Sequence, residues 1–381
     1  MNSLLCLLLL TTLGSSAGAL APLYHMKDKI NNRYIVKLKD DSHVDGFLST
    51  LDTPIFELVG GHIQQKYHKV NAFSSVLSSK ALELIRRSPS VEFIEEVGLV
   101  YAQEVGSWGL DRIDSHELSD MDEEYSPKFS GEGVNVYVID TGVNPTHDDL
   151  AGRCDVFFNA IDFGLSDGAD CNGHGSHCAG TVAGSTYGVA KNAHIYGVRV
   201  LSCVGFGSTE SVVSGCEKVA SDAILPAVAS LSLGGGVSAA MDAAITTMVK
   251  NGVTSVVAAG NSNADACLSS PAREDMAITV AASDSNDQRA SFSNYGSCTD
   301  IFAPGVAITS IWYDSNDSTN TISGTSMACP HVAGAAALIL EENPNLSPSV
   351  VKAALVNTAV NDKITDPGDG SPNKLLQVKT D

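Results

Sequence analysis

The stretch Val136-Tyr137-Val138-Ile139-Asp140-Thr141-Gly142 combines a short apolar strand with an acidic residue and a glycine turn at its end. Similar apolar, β-branched runs follow along the chain, and stretches of helical periodicity separate them. This alternation is typical of a buried parallel sheet with crossover helices, so we predict a doubly wound α/β domain. The predicted strands are 134–139, 195–200, 228–233, 253–258 and 277–281, and the predicted helices are 209–223 and 239–250.

A different pattern precedes this domain. Strand and helix signals there predict a small α+β unit with strand 34–38, helix 44–51, two strands within 64–77, helix 80–87 and strand 91–95. Residues 98–106 have little periodicity and read as an extended linker. We therefore place a domain boundary near residue 103.

Composition excludes several classes of function. Apolar residues make up 44% of the 381 residues and charged residues 18%, which is typical of a globular protein. The formal net charge is -21, and all of it lies after residue 103, because residues 21–103 carry equal numbers of acidic and basic groups. Proteins that bind nucleic acid carry clustered lysine and arginine, which contact the phosphates. This chain has no basic run, so we expect no nucleic-acid partner.

The N-terminal residues predict that the protein is secreted. An apolar run at residues 4–10 is followed by Ala17-Gly18-Ala19, as in a secretory signal peptide with its cleavage site, here residues 1–19. The alternative interpretation of this apolar run is a segment buried in the core of the protein. No stretch of about 18 apolar residues follows, so we expect no membrane anchor. Removal of Cys6 with the signal leaves eight of nine cysteines, an even number that fits a secreted, extracellular protein.

Three polar motifs carry candidate chemistry. Asp140 ends a strand, where an aspartate is otherwise a turn former or helix cap. In Asn172-Gly173-His174-Gly175-Ser176-His177 the two histidines fit either metal ligation or a catalytic base with a structural neighbour. A zinc site would need at least one further ligand, and the HExxH spacing of zinc proteases is not present. The interpretation as a catalytic base with a structural neighbour is therefore favoured. Ser326 lies at a helix start, which suits both an N-cap and a nucleophile whose oxyanion faces backbone N–H groups.

The order Asp, His, Ser along the chain is that of the subtilisin triad. The segments Val138-Ile139-Asp140-Thr141-Gly142, Asn172-Gly173-His174-Gly175-Ser176-His177 and Gly324-Thr325-Ser326-Met327-Ala328 resemble the three signatures of the subtilases. The resemblance is greatest to the proteinase K and aqualysin branch. It implies a secreted serine endopeptidase with a subtilisin-like fold and a catalytic triad of Asp140, His174 and Ser326.

The resemblance also implies a role for each residue. Ser326 is the nucleophile, His174 the general base and then acid, and Asp140 the group that orients the imidazole. His177 has no matching chemical role and is expected to be structural. Asn261 follows an apolar strand in Ala258-Ala259-Gly260-Asn261, where Gly-Asn alone more often marks a turn. In this family the matching asparagine donates to the oxyanion beside the Ser326 N–H.

Substrate binding is expected at two edges, between which the family lays an extended peptide as an added strand. Main-chain pairing leaves specificity to a few pockets, so we expect broad specificity with an apolar residue before the cut bond. The residues predicted to bind substrate are Gly205, Phe206, Gly207, Ser232, Leu233, Gly234, Ala258, Ala259 and Gly260.

Structural elements follow from the same resemblance. Two disulfides are implied, Cys171 with Cys203 and Cys267 with Cys298, and Cys178 resembles the free cysteine beneath the catalytic histidine. No cofactor is expected for catalysis. A structural calcium site is implied at Asp300 with the backbone carbonyls of Asp275 and Ala277.

The N-terminal unit resembles the inhibitory propeptide of subtilases, a ferredoxin-like module whose tail lies in the active site. We therefore expect a propeptide at 20–103, which self-cleavage near Gln103 separates from a peptidase domain at 104–381. The expected partners are protein or peptide substrates and the chain's own propeptide, and the enzyme is expected to be a monomer. The alternatives are a catalytically silent, propeptide-bound subtilase that acts as a binding protein, and a structural secreted protein.

Overall fold

The computed structural model describes residues 20–26, 29–51, 53–102, 108–150, 152–161 and 167–380. Side chains are described for all of these except residues 53–54 and 99–102. The predicted signal peptide at 1–19 and the predicted boundary at Gln103 lie outside the described residues.

The N-terminal unit is built around an antiparallel sheet. Its strands lie in the order β3-β4-β2-β5, with two helices between β2 and β3 and one between β4 and β5, which is a ferredoxin-like arrangement. The elements are β1 (Leu23–Tyr24), β2 (Lys29–Leu38), α1 (Val44–Thr50), α2 (Thr53–Leu58), β3 (Gly61–Tyr67), β4 (Ala72–Leu77), α3 (Ser79–Arg86) and β5 (Val91–Ala102).

The remaining chain forms the larger unit. Its helices are α4 (Gly109–Asp114), α5 (His174–Ala183), α6 (Thr209–Asp222), α7 (Ala239–Lys250), α8 (Thr325–Glu342) and α9 (Pro348–Thr358). Its strands are β6 (Asn135–Asp140), β7 (Cys154–Asn159), β8 (His194–Arg199), β9 (Phe206–Ser208), β10 (Ala227–Leu231), β11 (Leu233–Gly236), β12 (Val253–Ala258), β13 (Ser269–Ser270), β14 (Ile278–Ser283), β15 (Ile301–Pro304), β16 (Ile308–Ile311), β17 (Thr319–Ile322), β18 (Val360–Asn361) and β19 (Lys374–Leu375).

The central sheet has the order β18-β19-β15-β14-β12-β10-β6-β8-β7, and only β18 with β19 is antiparallel. The chain leaves β6 toward β7 and β8 on one side and later returns to place β10 on the other. A topological switch point therefore lies between β6 and β10. Ligands of open α/β sheets bind at the carboxyl edge of such a point.

Helices cover both faces of this sheet, as predicted for a doubly wound fold. Val136 and Val138 of β6 belong to the core that contains α5 and α8, whereas Tyr137 and Ile139 belong to the core that contains α6 and α7. The alternation follows from the two-residue period of a strand. Because both faces are buried, the residues of β6 from Val136 to Ile139 are all buried and mainly apolar.

The described helices include none that is both long and apolar enough to cross a bilayer.

Candidate active site

Asp140, the last residue of β6, reaches the carboxyl edge of the sheet at the switch point. Its Oδ1 accepts hydrogen bonds from His174 Nδ1 at 2.8 Å and from the backbone N–H of Thr141 at 2.7 Å. Neither Asp140 nor His174 has exposed surface. The contact fixes the imidazole with Nδ1 toward the carboxylate, and Nε2 therefore lies on the far side of the ring.

His174 is the first residue of α5, and its position depends on a tight approach between α5 and β6. A Cβ on Gly175 would lie 2.1 Å from the backbone oxygen of Gly142, so only glycine allows this contact. Gly173 precedes the helix with φ 113°, and a Cβ there would meet the Trp312 ring at 2.3 Å. The glycines on both sides of His174 are thus steric requirements.

Asp170 fastens the start of α5 to the end of β6, and sequence reasoning missed this role. Its carboxylate accepts from the N–H groups of Asn172, Gly173 and Ser176 and from the hydroxyls of Ser176 and Thr141, all at 2.7–3.0 Å. An acidic group at a helix N-terminus satisfies its unpaired N–H groups and its dipole. An aspartate just before a predicted helix start is a cap signal that points to Asp170.

Ser326 is the second residue of α8 and is almost completely buried. Its hydroxyl donates to the Ser232 carbonyl at 3.1 Å, and the Ser232 hydroxyl donates to the Ser326 carbonyl at 2.8 Å. This reciprocal pair holds the start of α8 against the chain between β10 and β11. Ser232, predicted as a substrate-binding residue, therefore also contacts the proposed nucleophile.

Cys178, one turn after His174, connects the three candidates. Its thiol donates to the Ser326 carbonyl at 3.5 Å, and its sulfur lies within 4.8 Å of ligand atoms of Asp140 and His174. Burial raises the pKa of Cys178 well above its ordinary value, so the sulfur is a neutral thiol near neutral pH. The arrangement fits acid–base chemistry better than metal binding.

The two neighbouring histidines are held as neutral, structural groups. His177 lies fully buried with Nε2 2.9 Å from the Ile308 carbonyl, and burial lowers its pKa to about 3. Burial likewise lowers the pKa of His331 to about 4, and its Nδ1 lies 2.7 Å from the Met327 carbonyl. Both rings lie against a backbone carbonyl and are neutral near neutral pH, which fits the structural role expected for His177.

Asn261 is oriented by the residue that precedes Ser326. Its amide oxygen accepts from the backbone N–H of Thr325 at 2.9 Å and from the Thr325 hydroxyl at 2.8 Å. The same hydroxyl accepts from the N–H of Gly260 at 3.0 Å. Because the oxygen of the amide is engaged, its NH₂ group is the part that Asn261 can offer to the adjoining pocket.

Asn294 holds the loop that carries Asn261, a second role that sequence reasoning missed. Its side chain donates to the Ala259 carbonyl at 2.9 Å and accepts from the N–H groups of Ser262 and Ala264 at 3.0 Å. A Cβ on Gly260, whose φ is 101°, would lie 2.5 Å from the Asn294 amide nitrogen. Nothing in the sequence around Asn294 predicts this contact.

A pocket of about 190 Å³ joins Ser326 and Asn261, and its lining is free of charged residues. It contains five of the predicted substrate-binding residues: Leu233, Gly234, Ala258, Ala259 and Gly260. Phe206 and Gly207 lie outside it in β9, and Gly205 lies in the preceding turn, where its N–H donates to Ser202 at 2.9 Å.

The two predicted edges flank one extended segment of the chain's own N-terminal unit. The end of β5 pairs antiparallel with β9 on one side, with Tyr101 opposite Phe206 and Val100 opposite Gly207. It pairs antiparallel with β11 on the other side, with Ala102 opposite Leu233. The predicted linker 98–106 is therefore a strand as far as Ala102.

The comparisons with known proteins agree with this geometry. The model of the subtilase family (Peptidase_S8) matches residues 131–376. The chain belongs to the subtilase family of serine endopeptidases. It is 43% identical over 400 residues to an extracellular serine proteinase of Thermus sp. (strain Rt41A), covering 98% of this chain and 97% of that protein.

Two further relatives place this subtilase more closely. It is 50% identical over 323 residues to alkaline serine exoprotease A of Vibrio alginolyticus, a match that spans 82% of this chain but 60% of that protein. The crystal structure of a cold adapted subtilisin-like serine proteinase superimposes with a TM-score of 0.70 at 52% identity. That match covers 72% of this chain and 99% of the other, and confirms the subtilisin-like α/β fold.

In this subtilase, carboxylates join the N-terminal unit to the helices beside the site. Glu95 of β5 accepts from the Ser238 hydroxyl and from the N–H of Ala240 at 3.0 Å, at the start of α7. Burial raises the pKa of Glu95 to about 7. In the first turn of α6, Glu210 accepts from the Ser74 hydroxyl at 2.8 Å and pairs with Arg33.

The disulfides of the subtilase unit are Cys171–Cys203 and Cys267–Cys298, the pairs that the resemblance implies. The first ties the segment before α5 to the segment before β9. The other described cysteines, Cys154, Cys178, Cys216 and Cys329, are buried thiols.

The predicted calcium site requires a correction. Asp275, Ala277 and Asp300 do lie together, but around the ammonium group of Lys352. Nζ of Lys352 lies 3.0 Å from the Asp275 carbonyl oxygen, 2.6 Å from that of Ala277 and 2.8 Å from Asp300 Oδ2. A calcium ion does not fit among these oxygens while the ammonium group is there.

Proposed function

We propose that this subtilase is a secreted endopeptidase made as a precursor that cleaves itself, with Asp140, His174 and Ser326 as its triad. One observation carries the proposal. Ala102, the last described residue of the N-terminal unit, pairs with Leu233, and the neighbouring Ser232 carbonyl accepts the Ser326 hydroxyl. The chain's own extended segment thus leads to the proposed nucleophile.

The chemistry follows from the roles of the three side chains. Ser326 Oγ attacks the carbonyl carbon of the peptide bond, and His174 Nε2 takes the proton from the hydroxyl. The imidazolium then gives this proton to the leaving amine, and an acyl-enzyme remains until water hydrolyses it. Asp140 keeps Nδ1 protonated and stabilises the imidazolium through the 2.8 Å contact.

Charge on the tetrahedral intermediate falls on the former carbonyl oxygen. The donors proposed for it are the NH₂ group of Asn261 and the backbone N–H of Ser326 at the start of α8. Thr325 supports this assignment, because its two hydrogen bonds hold the Asn261 amide oxygen away from the incoming anion.

Substrate is proposed to bind as a strand between β9 and β11, as the end of β5 does. Backbone pairing of this kind supplies affinity without reading side chains, and the uncharged pocket beside Ser326 favours an apolar residue before the cut bond. We propose that the first bond cut lies near Gln103.

The N-terminal unit then serves as an inhibitor. Glu95 of the N-terminal unit satisfies polar groups at the start of α7, and Glu210 of α6 accepts from Ser74 of the N-terminal unit, so the contact extends well beyond the cleft. Export is supported by the signal-like residues 1–19, by the two disulfides and by the Thermus relative, which is named as extracellular.

The decisive experiment compares Ser326→Ala with the unmodified chain after expression in a secreting host. We expect the unmodified chain to appear as two fragments that N-terminal sequencing joins near Gln103, and Ser326→Ala to remain one uncut precursor. Peptide hydrolysis by the unmodified protein should stop with phenylmethylsulfonyl fluoride. Ser349→Ala, a change at an exposed position of α9 in the same unit, serves as the control and should be processed normally.

Two results would contradict the proposal. Normal processing of Ser326→Ala would remove the nucleophile from the mechanism. An unmodified chain that stays uncut and hydrolyses no member of a peptide library would instead favour the catalytically silent binding protein.

A further inference from the structure

Three oxygen atoms from different parts of the subtilase unit converge on Lys352. The carbonyls of Asp275 and Ala277 precede β14, the carboxylate of Asp300 precedes β15, and Lys352 lies in α9. The distances of 2.6–3.0 Å from Nζ to these oxygens are those of charge-assisted hydrogen bonds. Lys352 therefore links the starts of two central strands to a C-terminal helix.

The donors and acceptors match in number. A lysine ammonium group has three N–H donors and no acceptor, and the site presents three acceptor oxygens. Asp300 Oδ2 also accepts from the backbone N–H of Thr279 at 2.9 Å, which fixes the carboxylate independently of Lys352. The lysine and carboxylate side chains are 24% and 22% exposed, so the pair is largely shielded from water.

A calcium ion at the same place would need these oxygens for itself. Calcium binds six to eight oxygens at about 2.3–2.6 Å, and here its position would coincide with that of Nζ. Two positive centres at such short separation repel strongly where water is scarce. The site holds either the ammonium group or the divalent cation.

We infer that Lys352 replaces a divalent cation at this position, so that a tethered ammonium group of the chain itself does the structural work of an ion. The three oxygens are then still arranged to bind a cation, but the ammonium group of Lys352 occupies the place that the ion would take. Shortening the side chain removes the ammonium group, and solvent can supply the remaining calcium ligands.

The test counts bound calcium by equilibrium dialysis, with the full chain carrying Ser326→Ala so that proteolysis cannot alter the sample. In this background Asp300→Asn should leave the number of bound ions unchanged. Lys352→Ala should raise the number by one, and adding Asp300→Asn to Lys352→Ala should remove that ion again. Lys379→Ala, which breaks a surface pair with Glu342, is the matched control and should change nothing.

Thermal unfolding gives a second readout. With a chelator present, Lys352→Ala should lower the Tm by a few degrees, and excess calcium should restore it only when Asp300 is intact. Lys352→Arg keeps the charge and should gain no calcium ion. Loss of a bound ion on Asp300→Asn alone, or no gain on Lys352→Ala, would overturn the inference. Because no step depends on peptide hydrolysis, this outcome is separate from that of the proposed function.

Discussion

Asn261 owes its orientation to Thr325, the residue just before the proposed nucleophile. The backbone that carries Ser326 therefore also orients the second of the two donors proposed for the oxyanion. A shift at the start of α8 would disturb both proposed donors, because Thr325 and Ser326 are adjacent in the chain.

Replacing Asn261 by alanine should lower kcat by about 10²–10³, the range known for the matching donor of subtilisin rather than a value obtained for this chain. KM should change little, because the hydrogen bond forms mainly in the transition state. Steady-state kinetics on a peptide substrate measures both constants. Asn286→Ala, at an exposed position, is the control, and an equal loss there would contradict the assignment.

The residues with proposed chemical roles were accessible from the sequence because each lies at the end of a strongly apolar strand or at a helix start. Asp140 and Ser326 are of this kind. Among the residues that position them, Asp170 has a cap signal in its place just before a predicted helix, whereas Asn294 was not accessible, since it acts on backbone groups of another loop that only the folded chain brings near. Lys352 is the clearest example of a contact that the sequence does not predict. Nothing in its helix indicates that its ammonium group contacts the segments before β14 and β15.

At the scale of elements, the junction between β6 and α5 depends on one buried carboxylate. Asp170 accepts five hydrogen bonds, and each donor left buried without an acceptor costs about 1–3 kcal/mol. Asp170→Ala should therefore reduce the free energy of unfolding by at least about 3 kcal/mol. Calorimetry in the Ser326→Ala background measures this. Asp167→Ala, three residues earlier and exposed, should have little effect.

Some elements could not be read from the sequence. Strand β7 is at the sheet edge and mixes polar with apolar residues, and β15 has only four residues, so neither has a clear period. The short helix α2 was also missed. Residues 98–102 looked like a linker because their pairing partners, β9 and β11, lie more than 100 positions away in the chain. Local patterns carry no information on such pairs.

At the scale of the whole molecule, Glu95 makes the union of the two units depend on pH. Its pKa rises from 4.5 to about 7 by burial, so the bound state favours the protonated carboxyl. This contribution is complete below about pH 4.5 and is lost as the pH rises through 7.

We therefore expect the N-terminal fragment of the processed protein to dissociate more readily at pH 8 than at pH 5, by at least about tenfold in Kd. Gel filtration of the processed protein at the two pH values measures the fraction that stays bound. Glu95→Gln should weaken this dependence, whereas Glu92→Gln, an exposed neighbour, should not. Tighter binding at pH 8 than at pH 5 would refute the role of Glu95.

The four buried thiols have a consequence for handling the molecule. Burial raises the pKa of Cys154, Cys216 and Cys329 to about 12 and that of Cys178 well above its ordinary value, so none is a thiolate near neutral pH. In the native state they resist alkylation and disulfide exchange. Global unfolding exposes them together, and the uptake of a thiol-specific dye then reports, without any engineered label, how often the whole structure opens.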